Sequence, residues 1–191
     1  MELYLITILL FLPLFGAASM WGHSLAFLHR VPLERIREHY RWIALVIAGV
    51  EFLLSLILVF KFDSSKAEPQ FQLNVPWIEG LGAHFHVGID GISLWLVVLT
   101  TFLLPIAILV TWRVNNNVRA YFTTLFLLQT GIIGVFVSLD MLLFYLFWEM
   151  SIIPMGFLIG VWGAEREHRA HATIKFLIFT VVGSLFMLVG I

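Results

Sequence analysis

The chain has 191 residues, of which 61% are hydrophobic and only 12% are charged, and its formal net charge at pH 7 is -1. Soluble domains contain about 25% charged residues on average, so this composition is typical of a membrane protein. Because the sequence has no cysteine, we expect no disulfide and no thiolate ligand for zinc, haem or an iron–sulfur cluster. No basic stripe follows a polar face, so we expect no nucleic-acid partner.

Six apolar segments are each long enough to cross a bilayer, which takes about 20 residues. They lie near residues 3–22, 42–62, 90–112, 119–138, 140–161 and 171–191. The first segment lacks the basic region that opens a secretory signal peptide, so we interpret it as a retained membrane helix. The sequence therefore predicts an all-α, polytopic membrane protein with six transmembrane helices. Since the last segment is apolar up to Ile191, we expect the N-terminal part of a longer protein.

The connection between the first two segments has an amphipathic pattern. In residues 32–40, Leu33, Ile36 and Tyr40 recur at helical spacing, and charged residues occupy positions between them. Such a pattern is typical of a helix that lies in the membrane surface. We therefore predict a separate, short interfacial helix on the cytoplasmic side.

The connection between the second and third segments is long and contains a possible strand. Within residues 63–89, positions 71–75 alternate between apolar and polar side chains, which predicts a short strand or hairpin outside the membrane. We accordingly divide the chain into two parts. Residues 1–89 hold two membrane helices, the interfacial helix and the external loop, and residues 90–191 hold membrane helices three to six.

Basic residues are distributed unequally between the two sides of the membrane. The connections on one side contain eight arginines, namely Arg30, Arg35, Arg37, Arg41, Arg113, Arg119, Arg166 and Arg169. The other side has Lys61 and Lys66. Because basic residues favour cytoplasmic loops, we expect the N-terminus outside and the arginine-rich connections in the cytoplasm.

Glu149 is a carboxylate in the middle of the fifth apolar segment. We place it ~18 Å from the cytoplasmic end of its helix. A charged group at this depth costs at least ~2.5 kcal/mol on insertion scales, and such residues usually serve ion or proton movement. Burial favours the protonated form, whereas a nearby cation favours the ionised form. We therefore favour a proton-relay site over a structural carboxylate that is locked to a neighbouring helix.

Two further charges lie within apolar segments. Lys175 lies ~6 Å inside the last helix, where a lysine can extend its amine to the interface. It equally fits an internal cation that modulates Glu149 or continues its proton path. Glu51 lies in the middle of the second helix without an obvious partner in the sequence. It could be a second proton site, but we favour helix packing or a contact with an adjoining subunit.

Polar residues at helix ends are also candidates for proton movement. Asp90 and Asp140 begin the third and fifth helices, where an acid complements the helix dipole, so we prefer helix capping to a proton-exit role. His168 and His171 lie at the cytoplasmic mouth of the last helix. Histidine there fits a relay, although histidines at interfaces are usually just solvated. Asp140, His168 and His171 remain possible relay residues, and no set of residues predicts a metal or cofactor site.

Three stretches of the sequence resemble one known family in their order and spacing. They are residues 88–105, 139–155 and 158–176. The most specific part is Phe147-Trp148-Glu149-Met150-Ser151. These stretches resemble the chain M subunits, or mitochondrial chain 4, of proton-pumping NADH:quinone oxidoreductase, which is respiratory complex I.

The resemblance implies a role in proton translocation. Members of this family have about fourteen helices with two inverted repeats, so this sequence corresponds to the N-terminal part of an antiporter-like subunit. Glu149 matches the family's key glutamate on the fifth helix. The family's main partner lysine lies on the seventh helix, so its role does not transfer to Lys175. On this basis, protons move through an intramembrane Glu/Lys relay that is coupled to electron transfer in other subunits.

The resemblance also implies partners and a location. We expect other membrane subunits as partners, including neighbouring antiporter-like subunits, within the lipid bilayer. NADH, flavin, iron–sulfur clusters and quinone are expected in partner subunits, and no cofactor is expected in this chain. The location is the bacterial inner membrane, or the mitochondrial inner membrane if the protein is organellar.

Two other functions remain open at this point. A component of a multi-subunit sodium/proton antiporter has the same fold and the same glutamate, although the residues around Glu149 favour the oxidoreductase. A structural membrane scaffold would use Glu149 and Glu51 as ties between helices. In that case, neutral isosteres should be tolerated at both positions.

Overall fold

The computed structural model describes residues 2–27, 33–163 and 167–191. The described residues form six helices, which are α1 (Glu2–Phe27), α2 (Leu33–Lys61), α3 (Gly91–Val110), α4 (Val118–Val137), α5 (Met141–Trp162) and α6 (Arg169–Gly190). All six contain a stretch that is long and apolar enough to cross a membrane. The prediction of six membrane helices is therefore confirmed, and the largest difference in helix bounds is at the start of α2.

The predicted separate interfacial helix is wrong for the described residues of that segment. From Leu33 onward the segment is the first part of α2, which continues without a break to Lys61. The charged residues in this segment are good helix formers, and nothing among them interrupts the helix. Tyr40 is buried, and Ile36 packs against the same core. The apolar face therefore contacts the rest of this chain. Pro32, which opens the predicted helix, lies outside the described residues.

The predicted strand in the long connection is confirmed and is part of a hairpin. Strands β1 (Gln70–Ile78) and β2 (Ala83–Ile89) pair in antiparallel fashion. Gly82 has a φ of 63° and closes the turn between them in the left-handed region, which glycine adopts readily. We call the end of the helix bundle that carries this hairpin the hairpin side.

The opposite end, which we call the arginine side, is held together by arginine hydrogen bonds. Arg41 Nη2 of α2 donates to the carbonyl oxygen of Val114, which follows α3, at 3.1 Å. Arg169 of α6 donates to the carbonyl oxygens of Gly163 and Val161, at 2.6 and 2.7 Å. Carbonyl groups at the end of a helix lack partners within the helix, so Arg169 satisfies two of them at the end of α5.

Helix α4 is central to the bundle, since it contacts α1, α2, α3 and α5. Two glycines of α4 allow a close approach to α5. A Cβ atom on Gly131 would lie 2.9 Å from Ser151 Cβ, and one on Gly134 would overlap the ring of Phe147. By contrast, α6 packs mainly against α5 and leaves most of its surface exposed.

Asp140 fixes both the start of α5 and its position under the hairpin. Its Oδ1 accepts from the backbone N–H groups of Leu142 and Leu143 at 2.9 and 3.0 Å, and its Oδ2 accepts from the His84 N–H of β2 at 3.1 Å. The Leu139 N–H donates to the carbonyl oxygen of His86 at 2.8 Å, one residue before this cap. The interpretation of Asp140 as a helix cap is therefore confirmed, and the cap also anchors the hairpin.

These hydrogen bonds influence the acidity of Asp140. Burial acts to raise the pKa of this carboxyl, but the N–H groups of Leu143, His84 and Leu142 outweigh it and hold the pKa below its usual value. A lowered pKa in the folded state means that ionised Asp140 stabilises the fold above about pH 4, the usual aspartate value. This contribution is lost as the pH falls through the lowered pKa.

We expect Asp140→Ala to destabilise the protein more than Asp140→Asn. Alanine removes the cap, which costs about 0.5–2 kcal/mol, and also the bond to His84. Asparagine keeps one side-chain oxygen, which can still cap α5. It loses only the second oxygen, which accepts from the His84 N–H in the wild type. The measurement is the melting temperature of the full-length protein in detergent. Asp90→Ala is the matched control, because Asp90 caps α3 through Ile92 and Ser93 and makes no such hairpin bond. Equal melting temperatures for the two Asp140 variants would contradict the anchoring role.

Candidate functional site

Glu149 lies within α5, eight residues after the helix begins at Met141. At a rise of 1.5 Å per residue, that is ~12 Å from the hairpin-side end of the helix. Its side chain is partly buried, and its Oε1 atom is buried and has no hydrogen-bond partner among the described residues. The carboxylate therefore lies at membrane depth with one acceptor atom that this part of the chain does not satisfy.

A tyrosine hydroxyl lies next to Glu149, and a serine hydroxyl of α6 lies next to that tyrosine. Tyr145 is one helical turn earlier on the same face of α5, and its hydroxyl interacts with both Glu149 and Ser184 of α6. The packing of the two helices explains this arrangement. Gly156 faces Leu177, and a Cβ atom added to the glycine would lie 3.1 Å from the leucine side chain. Continuing this antiparallel register by seven residues brings Glu149 level with Ser184, which is buried.

Neither hydroxyl residue was predicted from the sequence. The four-residue spacing between Tyr145 and Glu149 was a usable signal, because residues four apart share one face of a helix. Nothing in the sequence pointed to Ser184, since its position depends on how α6 packs against α5. Tyr145 therefore lies between the Glu149 carboxyl group and the Ser184 hydroxyl of the neighbouring helix.

The described structure does not bring Lys175 to Glu149. Lys175 is exposed on α6, and the same helix register places it level with residue 158 of α5. That level is roughly 14 Å from Glu149 along the helix, at 1.5 Å per residue. A role for Lys175 in proton movement therefore stays a prediction, and direct pairing with Glu149 has no support in this geometry.

Glu51 lies inside the bundle, with a fully buried side chain. Both of its carboxylate oxygens are buried, and neither has a hydrogen bond to any residue that the structure describes. Gln129 of α4 interacts with the carboxylate, although the pair does not reach hydrogen-bonding geometry. Because Glu51 is enclosed by this chain, the interpretation that it meets an adjoining subunit is wrong. Helix packing and proton binding remain open.

The two histidines lie far from Glu149. His168 directly precedes α6 on the arginine side, and His171 lies in its first turn. Both side chains are exposed. A relay role for either residue stays a prediction. Within residues 2–27, 33–163 and 167–191, no three side chains from His, Asp and Glu are grouped so that they could hold a metal ion.

Comparisons with known proteins show which proteins this chain is similar to. Residues 138–191 match the membrane family described as NADH:quinone oxidoreductase/Mrp antiporter, TM. Subunit M of NADH-quinone oxidoreductase from Rhodobacter capsulatus is 41% identical over 186 residues, which cover 97% of this chain and 35% of that protein. Chain 4 of NADH-ubiquinone oxidoreductase from Arabidopsis thaliana is 44% identical over 162 residues, which cover 84% of this chain and 32% of that protein.

A solved structure agrees with these relatives. A chain of respiratory complex I from Thermus thermophilus with bound NADH superposes with a TM-score of 0.75 at 26% sequence identity, covering 96% of this chain and 34% of that chain. The chain spans about a third of the length of the curated relatives it matches. Nearly all of its residues are homologous to about a third of the length of proteins named subunit M, or chain 4, of NADH:quinone oxidoreductase, and residues 138–191 match the NADH:quinone oxidoreductase/Mrp antiporter membrane family.

Proposed function

We propose that this chain belongs to a proton-translocating membrane subunit of NADH:quinone oxidoreductase, and that Glu149 binds and releases the transported proton. Two findings support this proposal. The relatives that match most of the chain are named as subunits of that oxidoreductase. The observation that carries the assignment to Glu149 is its buried, unpartnered carboxylate oxygen in the middle of a membrane helix.

The membrane environment makes the protonation of Glu149 sensitive to its surroundings. An ionised carboxylate without a counter-charge is costly at this depth. A cation that comes near favours the ionised form and releases the proton. When the cation withdraws, the carboxylate binds a proton again. Tyr145 and Ser184 supply hydroxyl groups that can hydrogen-bond to the carboxyl group in both states.

The cation that drives this cycle lies elsewhere in the complete subunit. Lys175 is level with residue 158 and has no contact with Glu149 in the described structure. The resemblance implies a lysine on the seventh helix of the family as the partner. We therefore propose a Glu/Lys relay in which Glu149 supplies the acid and that lysine supplies the base.

Electron transfer belongs to partner subunits in this proposal. The chain has no cysteine for iron–sulfur ligation, and the NADH, flavin, iron–sulfur and quinone sites are assigned to other subunits. Neighbouring antiporter-like subunits are proposed to flank this one in the inner membrane. We further propose that the arginine side faces the cytoplasm, because basic residues are retained there.

A subunit of a multi-subunit sodium/proton antiporter is the second candidate function. The matching family model covers both oxidoreductase and Mrp antiporter proteins, so it does not separate the two. The names of the full-length relatives favour the oxidoreductase. A structural scaffold is the third candidate, and it would not need a titratable group at position 149.

We expect Glu149→Gln in the full-length gene to abolish most NADH-driven proton pumping. Glutamine keeps the size and most hydrogen bonds of glutamate but cannot bind and release a proton, so the subunit should still assemble. The measurement is acidification of inverted membrane vesicles on NADH addition, with the amount of assembled complex determined in the same membranes.

Glu68→Gln is the matched control for this experiment. Glu68 is exposed in the connection before β1, so the same chemical change there should leave acidification at the wild-type rate. Normal acidification by Glu149→Gln at normal complex content would refute the assignment and favour the scaffold. Acidification that depends on added sodium rather than on NADH would favour the antiporter.

We expect Lys175→Ala to lower acidification much less than Glu149→Gln does. The side chain is exposed and lies roughly 14 Å from Glu149 along the helices. The same vesicle assay compares the two variants at equal complex content. A loss as large as that of Glu149→Gln would show that Lys175 is part of the proton path.

A further inference from the structure

A second carboxylate is enclosed by the membrane helices, separately from Glu149. Glu51 of α2 has 0% of its side chain exposed, and it lies ten residues before the hairpin-side end of its helix. That is ~15 Å from the end of α2, about half the thickness of a bilayer's hydrocarbon core. Both oxygens are buried and accept no hydrogen bond in the described structure.

The side chain that faces this carboxylate is an amide. Gln129 of α4 is 4% exposed, and its Nε2 atom is also buried and has no partner within the described ranges. It is the one side chain in the described residues whose polar group acts on the Glu51 carboxylate. An amide offers one acceptor and two donor positions. Its oxygen can accept from a carboxylic acid, and its nitrogen can donate to a carboxylate, so Gln129 fits both states of Glu51.

The surroundings of Glu51 favour the neutral acid. No lysine, arginine or histidine acts on it in the part of the chain that the structure describes. An ionised carboxylate that is buried without a counter-charge is so costly that such groups bind a proton instead. A single amide does not compensate this cost, since buried charges normally require paired charges or several hydrogen bonds.

A pair of hydroxyl groups continues along the same face of α2. Ser55 follows Glu51 by one helical turn, and its Oγ lies 2.7 Å from Thr101 Oγ1 of α3. Both side chains are fully buried. Either hydroxyl can donate to the other, so this pair can reverse its hydrogen-bond direction. Polar groups from α2, α3 and α4 therefore extend from Glu51 towards the hairpin side.

The site around Glu51 is on the other side of α4 from Glu149. Gly131 of α4 packs against Ser151 of α5, whereas Gln129 faces α2. Two residues of an α-helix turn through 200°, so Gln129 points about 160° away from Gly131. The two carboxylates lie at similar distances from the hairpin-side ends of their helices but are separated by the width of α4.

We propose that Glu51 is a second proton-binding site of this chain, which is protonated at rest, pairs with Gln129 and exchanges its proton during turnover. The proposed proton exchange during turnover rests on the proposed proton-translocating function, whereas the proposed protonation of Glu51 at rest does not. On release, the O–H bond of the Glu51 acid breaks and the proton passes to a water molecule. The remaining carboxylate accepts from the Gln129 amide nitrogen. On rebinding, the amide turns so that its oxygen accepts from the acid.

Infrared absorption of the assembled full-length complex tests the resting state. The difference between wild type and Glu51→Asp should contain a carbonyl stretch of a protonated carboxylic acid. Gln129→Leu should move this band to higher frequency, because it removes the hydrogen bond to the amide. Carboxylate bands in place of the acid band, or an acid band that Gln129→Leu leaves unchanged, would overturn the proposal.

Vesicle acidification tests the exchange during turnover. Glu51→Gln should lower the protons released per NADH oxidised while complex content stays normal, and Glu51→Asp should restore part of the loss. A wild-type ratio in Glu51→Gln would overturn the exchange. If the Glu51→Gln subunit does not assemble, the test is the infrared acid band of the wild-type complex, recorded before and after NADH addition. A band that does not change would overturn the proposed proton exchange.

A parallel measurement on Glu149→Gln separates this proposal from the proposed function. Loss of pumping in both variants supports both sites. Loss only in Glu51→Gln supports the second site and refutes the assignment to Glu149. Loss only in Glu149→Gln supports the proposed function and refutes proton exchange at Glu51.

Discussion

Helices α4 and α5 approach closely because Gly131 and Gly134 have no side chains where Ser151 and Phe147 press against α4. Helices in a membrane gain little from the hydrophobic effect, so small residues that allow close van der Waals packing decide which helices associate. This contact fixes the position of α5, and with it the depth and direction of Glu149. Asp140 and the hairpin then hold the start of α5, and α6 packs against its other surface through Gly156.

The same central helix separates two buried carboxylates. On the α5 side, Glu149 has a buried oxygen without a partner among the described residues, and it lies next to Tyr145, whose hydroxyl also interacts with Ser184. On the α2 side, Glu51 faces Gln129. Ionisable groups at membrane depth cost free energy, so those that are present are usually functional. Among the described residues the two sites differ in burial, since Glu149 is partly buried whereas Glu51 is fully buried.

The sequence predicted the features that depend on chain length and on local pattern. Six spans follow from apolar length, and the strand at residues 71–75 follows from alternation. The depth of Glu149 follows from its place in an apolar run, and the cap at Asp140 follows from its place at a helix start. The separate interfacial helix was wrong because Ile36 and Tyr40 pack against the protein core, which local amphipathicity cannot distinguish from packing against lipid.

Features that depend on contacts between helices could not be predicted. Ser184 reaches the level of Glu149 through the α5–α6 register, which Gly156 and Leu177 set. Gln129 and Glu51 are 78 positions apart in the sequence and meet because α4 packs against α2. The sequence therefore identified both acids as unusual but gave no partner for either. Their chemistry depends on those partners.

The most direct test of the central claim is the infrared difference spectrum of the assembled full-length complex between its resting state and its NADH-driven state. If Glu149 releases and binds a proton during turnover, wild type should show the loss of a carboxylic acid band together with the gain of carboxylate bands. These features should be missing from Glu149→Gln at equal complex content. An identical difference spectrum in wild type and Glu149→Gln would contradict the account.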